Sequence, residues 1–494
     1  MHEIVTLQFG QQANYVATHF WNAQESYFTY GADEESPVNH DIHFRAGVGA
    51  DGSDTFTPRT LIYDLKGAFG TLRRDNVLYQ SEDERQNPQG QWAGQTQVIQ
   101  QPAIPPSAYQ SHLDSGLEPP PLSTSNVRYW SDYNRVFYHP RSIVQLHEYE
   151  LSSSIAPFER WTSGQDLFSS LDREHDLLDK DLRPLLEEAD HLQAVQVFTN
   201  TDDAWGGFAA EYLERVRDEL GKTGLWVWAL EDGSRESREK QLLHSSNVLQ
   251  SLNSLASTAS MYVPLTTVPA ALPNYITGFD SGSRWHTSAL QMTAIESISL
   301  PSRLRHDLSA RSSLDEFEAI LSNGGKRRLA MLDLRVRQTS VATNGDAQHH
   351  DDLLTGQTPG RGSMSQPRTH VFSQIQSLRG VFKSSLELAD LNQSSRDKRS
   401  SAAARGIRIA CHQTDLLFPL LSSFPNIYDQ QSEKVEVEAA LSTSAQMAAY
   451  VRGLVGLAGR AIGVEDREAL VEGLERVAEE YEDGWDGGSD SDED

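Results

Sequence analysis

The sequence predicts an α/β protein: an N-terminal parallel sheet with helices on both faces, then a smaller α+β C-terminal region and a disordered acidic tail. Three observations predict this. Residues 1–21 join a strand directly to an amphipathic helix, residues 194–220 repeat that unit, and residues 479–494 carry nine acids and no base.

In the first unit Ile4, Val5, Leu7 and Phe9 form a mostly apolar strand, and Gly10 permits a tight turn. Ala13, Ala17 and Trp21, with Val16 and Phe20 beside them, then recur at helical spacing. Such a turn either packs an ordinary β-α unit or aims backbone N–H groups at a phosphate, so Gly10, Gln11 and Gln12 are candidate ligand-binding residues. In RTLIYDLKGAF (59–69) a strand over Leu61–Tyr63 ends in Asp64. A carboxylate there either faces a ligand across the sheet edge or caps the next turn. Residues 31–58 and 80–127, the latter rich in Gln, Pro and Ser, read as loop insertions. Trp130, Tyr133, Val136 and Phe137 then supply core aromatics and apolar bulk.

Leu167, Leu171, Leu178 and Leu182 mark a helix, Ala194–Thr199 a strand, and Phe208, Tyr212, Leu213, Val216 and Leu220 the next helix. The intervening NTDDAWGGF places Gly206 and Gly207 before that helix, with Asp202, Asp203 and Trp205 ahead of them. Another strand covers 225–230, and Asn247 begins a helix whose Leu249, Leu252 and Leu255 face inward. An N-cap role suits that asparagine.

The signals weaken beyond residue 310, so a separate C-terminal region is expected over 311–478. Ser313 and Glu316 have capping-box spacing at the head of a helix. Residues 339–369 read as a mobile loop whose His349-His350-Asp351-Asp352 lacks the preorganisation a metal site needs. The one basic patch, residues 392–406, reads as a solvated loop. Residues 465–482 form an amphipathic helix with Leu470, Leu474, Val477 and Tyr481 on one stripe and a Glu472–Arg476 pair outside.

Composition excludes several function classes. The net charge of −28 on 494 residues opposes direct nucleic-acid binding by any large surface. A single cysteine, Cys411, rules out an internal disulfide and reads as a buried strand residue. No apolar run reaches the length of a membrane span, and residues 2–9 carry Glu3 and alternate like a strand, so neither a signal peptide nor a cleaved presequence is expected there. Ser489 and Ser491 lie in acidic contexts open to phosphorylation.

MHEIVTLQFGQQANYVATHFW resembles the start of the tubulins, where a Met-x-Glu-Ile-Val strand enters Gly-Gln-Cys-Gly-Asn and a helix ending in Phe-Trp. Gly10, Gln11 and Asn14 fit that pattern, while Gln12 replaces the cysteine and Ala13 the glycine. The resemblance implies a tubulin/FtsZ-like nucleotide-binding-type domain. It further implies that Asp64 faces nucleotide and metal, that Gly206 and Gly207 are what remains of the Gly-Gly-Gly-Thr-Gly-Ser-Gly loop, and that Asn247 matches the asparagine reading guanine at the head of the central helix. No counterpart of the acidic Gly-x-x-Asn-x-Asp hydrolysis loop follows, so no catalytic residue, no metal site and no cofactor beyond a residual GTP or GDP is expected.

The tubulin-like start, the altered loop with Thr201-Asp202-Asp203, the Tyr129-Trp130-Ser131-Asp132 segment and the acidic end together resemble the Misato family, whose fungal members are the Dml proteins. That resemblance implies partitioning of mitochondria and inheritance of mitochondrial DNA. It implies a location at the mitochondrial outer surface and in the cytoplasm, with tubulin, chaperonin or mitochondrial surface proteins as partners. Two alternatives stand beside this non-enzymatic scaffold: a tubulin- or chaperonin-linked assembly factor, and a filament-forming GTPase.

Overall fold

The computed structural model describes residues 2–482, apart from segments 80–103, 233–236, 267–271, 338–369, 381–407, 429–432 and 461–466 and positions 30, 32–34, 51, 75, 77, 274, 307 and 323. The loops predicted at 339–369 and 392–406 therefore lie outside the described residues, as do Ser489 and Ser491.

The chain begins with β1 (Glu3–Phe9) and α1 (Gln11–Glu25), continues through a hairpin of β2 (Phe44–Val48) and β3 (Asp54–Pro58), and reaches β4 (Thr60–Lys66). Next come α2 (Ala108–Asp114), β5 (Ile143–Glu150), α3 (Trp161–His175), α4 (Arg183–Glu187) and β6 (Leu192–Asn200). Then follow α5 (Ala204–Leu220), β7 (Gly224–Glu231), α6 (Arg238–Thr258), β8 (Met261–Thr266) and α7 (Arg284–Ser299). The C-terminal part holds α8 (Leu314–Leu321), β9 (Met331–Arg337), β10 (Val371–Arg379), β11 (Arg408–Thr414), β12 (Phe418–Pro419), β13 (Lys434–Ser444), α9 (Gln446–Ala458) and α10 (Arg467–Glu479).

Six strands form one parallel sheet in the order β5-β4-β1-β6-β7-β8, with Leu7 flanked by Leu61 and Val197. Alternate residues of β1 serve opposite cores. Val5, Leu7 and Phe9 pack with α3, α5 and α6, whereas Ile4 packs on the face of α1 and α7. A second, mixed sheet joins β9, β10, β11 and β12 around β13, and only its β10–β11 pair is parallel. Helix α7 lies between the sheets, every residue from Trp285 to Ser299 buried. Residues on both sides of 310 thus share both cores.

Several local expectations change. The 31–58 segment contains the β2–β3 hairpin, and the described part of 80–127 contains α2, whose N-cap Ser107 accepts from Gln110 N. The helix expected through Leu182 breaks at Asp176, which turns left-handed at φ 47°, before a π turn over Leu178–Leu182. Cys411 sits on edge strand β11 as expected, but it is exposed. Trp130, Tyr133 and Val136 are buried, while Phe137 is 45% exposed. The capping box at Ser313 and Glu316 forms. Helix α10 docks on the body with Leu470 and Leu474 buried, and Glu472 pairs with Arg476 at 3.1 Å. The packed body runs past 479, because Tyr481 is fully buried and its hydroxyl donates to Leu329 O at 2.7 Å and accepts from Leu329 N at 2.6 Å.

Candidate nucleotide-type site

The C-terminal ends of β1, β4 and β6 meet the N-termini of α1 and α5, the edge where open α/β sheets take ligands. Gly10 makes the β1–α1 turn at φ 93°, a conformation that suits glycine. A Cβ at Gly10 would lie 2.5 Å from Cδ1 of Trp205, so the indole rests directly on the turn. That indole is 3% exposed and packs edge-on against Phe158 and Phe208.

Around the indole the chain's own side chains take one N–H at each helix N-terminus, Ala13 N on α1 and Trp205 N on α5. Asp64 Oδ2 accepts from Gln11 Nε2 at 2.5 Å and from Asn14 Nδ2 at 2.7 Å, and its Oδ1 accepts from Leu65 N at 2.9 Å. Asp64 thus faces the Gln11 and Asn14 side chains of α1 and also accepts from the N–H of the next residue. Burial pushes its carboxyl up to about 7 despite these donors. Asn200 Oδ1 accepts from Ala13 N at 3.2 Å, and Asn200 Nδ2 donates to Asp203 Oδ2 at 3.0 Å. Asp203 caps α5 by accepting from Trp205 N at 2.8 Å. Gln12 Nε2 reaches α7, donating to Gln291 Oε1 at 3.1 Å and approaching Thr287 Oγ1 at 3.4 Å. Asp202 and Asp203 are both raised, first by burial, and for Asp203 next by the neighbouring Asp202 carboxylate.

Gly206 and Gly207 lie elsewhere than expected. Both sit within the first turn of α5, where a Cβ on Gly206 would fall 2.1 Å from Ser251 Oγ on α6 and one on Gly207 would fall 1.9 Å from Trp161 O on α3. They let three helices approach closely. Asn247 is also misplaced by the sequence reading. It lies inside α6, whose N-cap is Ser237, and the helix between the sheets is α7, headed by Arg284, Trp285, His286 and Thr287. Asn247 is buried and fully engaged: Nδ2 donates to Glu159 O at 2.7 Å and Asp202 O at 2.8 Å, and Oδ1 accepts from Trp161 N at 3.0 Å. It fastens the Asp202 loop to α6 and to the start of α3.

These residues do not fit a guanine nucleotide. The indole stands on Gly10, Asn200 takes the Ala13 N–H, Asp203 takes the Trp205 N–H, and Asp64 takes the Gln11 and Asn14 amides. Burial raises the carboxyls of Asp64 and Asp203, so near neutral pH the obstacle they present is occupancy of the neighbouring donors rather than full negative charge. Sequence reading missed Asn200 and Gln291. An aspartate directly ahead of α5 is an N-cap signal that could have revealed the role of Asp203, while its bond to Asn200 had no such signal.

The profile described as Misato Segment II tubulin-like domain matches residues 2–115, and the profile described as Tubulin domain matches residues 119–304. Protein dml-1 of Neurospora crassa is 47% identical and Protein dml1 of Aspergillus niger 48% identical, each aligned over the whole of both chains. The chain belongs to the Misato/Dml family of tubulin-like proteins. A more distant member, Protein dml1 of Schizosaccharomyces pombe, is 31% identical over 69% of this chain and 74% of its own length. In this Misato/Dml chain the matched spans end at residue 304, so the second sheet and α8–α10 lie outside them.

Proposed function

We propose that this Misato/Dml chain is a non-enzymatic, tubulin-like scaffold that acts in partitioning mitochondria and inheriting mitochondrial DNA. It works at the mitochondrial outer surface and in the cytoplasm through protein partners, among them tubulin or chaperonin and mitochondrial surface proteins. The mitochondrial part of this reading comes from family resemblance. Its non-enzymatic part is supported by one observation above all, the Trp205 indole seated on the Gly10 turn where a tubulin would present backbone to phosphate. Among the described residues no helix is long and apolar enough to cross a membrane, which favours attachment through partners.

Two measurements test the reading. Purified full-length protein, extracted and assayed for guanine nucleotide by mass spectrometry, should release none and should not turn over GTP. Depletion in cells should cause loss of mitochondrial DNA before any fall in soluble tubulin. Stoichiometric GTP with turnover on polymerisation would overturn the non-enzymatic part. Tubulin loss with intact mitochondrial DNA would favour the assembly-factor alternative.

A further inference from the structure

A cleft of about 760 Å³ opens at the N-terminal edge of the parallel sheet, away from the Gly10 turn, where α5, α6 and α8 all end. Helix C-termini carry partial negative charge, and here two guanidiniums neutralise it. Arg217 donates to Gly221 O at 2.6 Å, Thr223 O at 2.9 Å and Thr258 O at 2.9 Å, while Arg328 donates to Gly325 O at 3.3 Å and to Ser257 O. Lys222 lines the cleft and Lys326 lies on the Ser322–Arg328 segment at its rim, both exposed. Asp315 and Glu318 contribute the opposing carboxylates, so three cations line the cleft against two acids, with Lys326 close by in sequence, on a chain of net charge −28.

The end of the described chain leads to this place. The Tyr481 hydroxyl is bonded to both the N–H and the carbonyl of Leu329, and Arg327 Nε donates to Glu480 O at 3.1 Å. The Glu480 carboxylate already lies in the field of Arg328, Arg327 and Lys326. Beyond Glu482 remain residues 483–494, which hold Asp483, Asp486, Asp490, Asp492, Glu493 and Asp494 together with Trp485 and no base. A segment of that length spans at most about 40 Å, ample to cross a cleft whose wall includes the residue next to Leu329.

We propose that residues 483–494 dock in cis across this cleft, their carboxylates against Lys222, Lys326 and Arg328. The tail is then a self-ligand that a basic partner must displace to reach the same edge of the sheet. The attraction acts between exposed charges and fades as salt screens it.

Hydrogen–deuterium exchange on the full chain and on a chain ending at Glu482 tests this. At low salt the amides of 221–224 and 257–260 should exchange at least about threefold faster in the shortened chain. In 1 M salt, where the screening length is about 3 Å, the full chain should behave like the shortened one. The double variant Lys222→Glu with Lys326→Glu should do the same at low salt, and a synthetic 483–494 peptide should restore protection to the shortened chain. Equal exchange in the two chains at low salt would overturn the proposal. Protection that rises with protein concentration would also overturn it, assigning the tail to a second copy.

Discussion

Trp205→Ala is the perturbation that bears most directly on the filled turn. The indole is 3% exposed, stands against the Gly10 turn and packs on Phe158 and Phe208 with ring centroids 5.3 and 5.5 Å away. Truncating a tryptophan so placed costs about 3–5 kcal/mol, because the surrounding strands and helices close only part of the void. Urea unfolding of wild type and variant, followed by intrinsic fluorescence and circular dichroism, measures the loss. The same variant separates filling of the turn from occupation of the helix N–H groups. Removing the indole leaves Asn200 on the Ala13 N–H and Asp203 on the N–H of residue 205, so GTP should stabilise neither protein. A nucleotide that bound the folded state and was present at a hundredfold excess over its dissociation constant would add about 2.7 kcal/mol, well within reach of the assay. A loss below about 1 kcal/mol in Trp205→Ala, or a GTP-dependent rise in wild-type stability of that size, would refute the reasoning.

Other outcomes follow from buried charge and close packing. Glu296 is fully buried between Arg303, at 2.6 Å, and Arg379, so Glu296→Gln should cost about 3–5 kcal/mol by urea unfolding because two buried guanidiniums lose their counter-ion. The neighbouring arginines hold the Glu296 carboxyl below its usual range, so the stability it contributes is present above the unfolded carboxyl's pKa and is lost as pH falls through the lower folded value. Asp203 has the opposite sign: its folded pKa is raised by burial and by Asp202, so the folded state holds the proton longer and stability falls as pH climbs above the ordinary carboxylate range. Asp203→Asn should therefore flatten that decline between pH 5 and 7.5 in unfolding titrations. Gly207→Ala, whose Cβ meets Trp161 O, should destabilise by about 1–3 kcal/mol, whereas Gly456→Ala in α9, where a Cβ meets open space, should stabilise by about 0.4–1 kcal/mol in the same assay.

Features set by neighbours in the chain were legible without coordinates. The β1–Gly10–α1 junction, the β6 and β7 strands, the Ser313–Glu316 capping box and the Glu472–Arg476 pair all rest on residues at most a few turns apart, and each forms. Helix α7 left no such trace. Gln291, Thr293, Glu296 and Ser297 are buried along with its apolar residues, so no amphipathic stripe marks it as the helix between the sheets. The expectation for Asn247 rests instead on the tubulin resemblance, and it is α6 that carries the Leu249, Leu252 and Leu255 stripe.

What the sequence determined by itself was the α/β class, the family and the chemistry available at the β1–α1 turn, because propensity, capping and periodicity act over a few residues. Tertiary structure alone decided how that chemistry is used. It brings Trp205 onto Gly10, Asn200 onto Ala13 and Asp64 onto Gln11, and it turns Gly206 and Gly207 from a loop into a helix crossing. Those contacts join residues 53 to 195 positions apart in the chain, a separation over which local preference carries no information and only the closing of the sheet selects the partner.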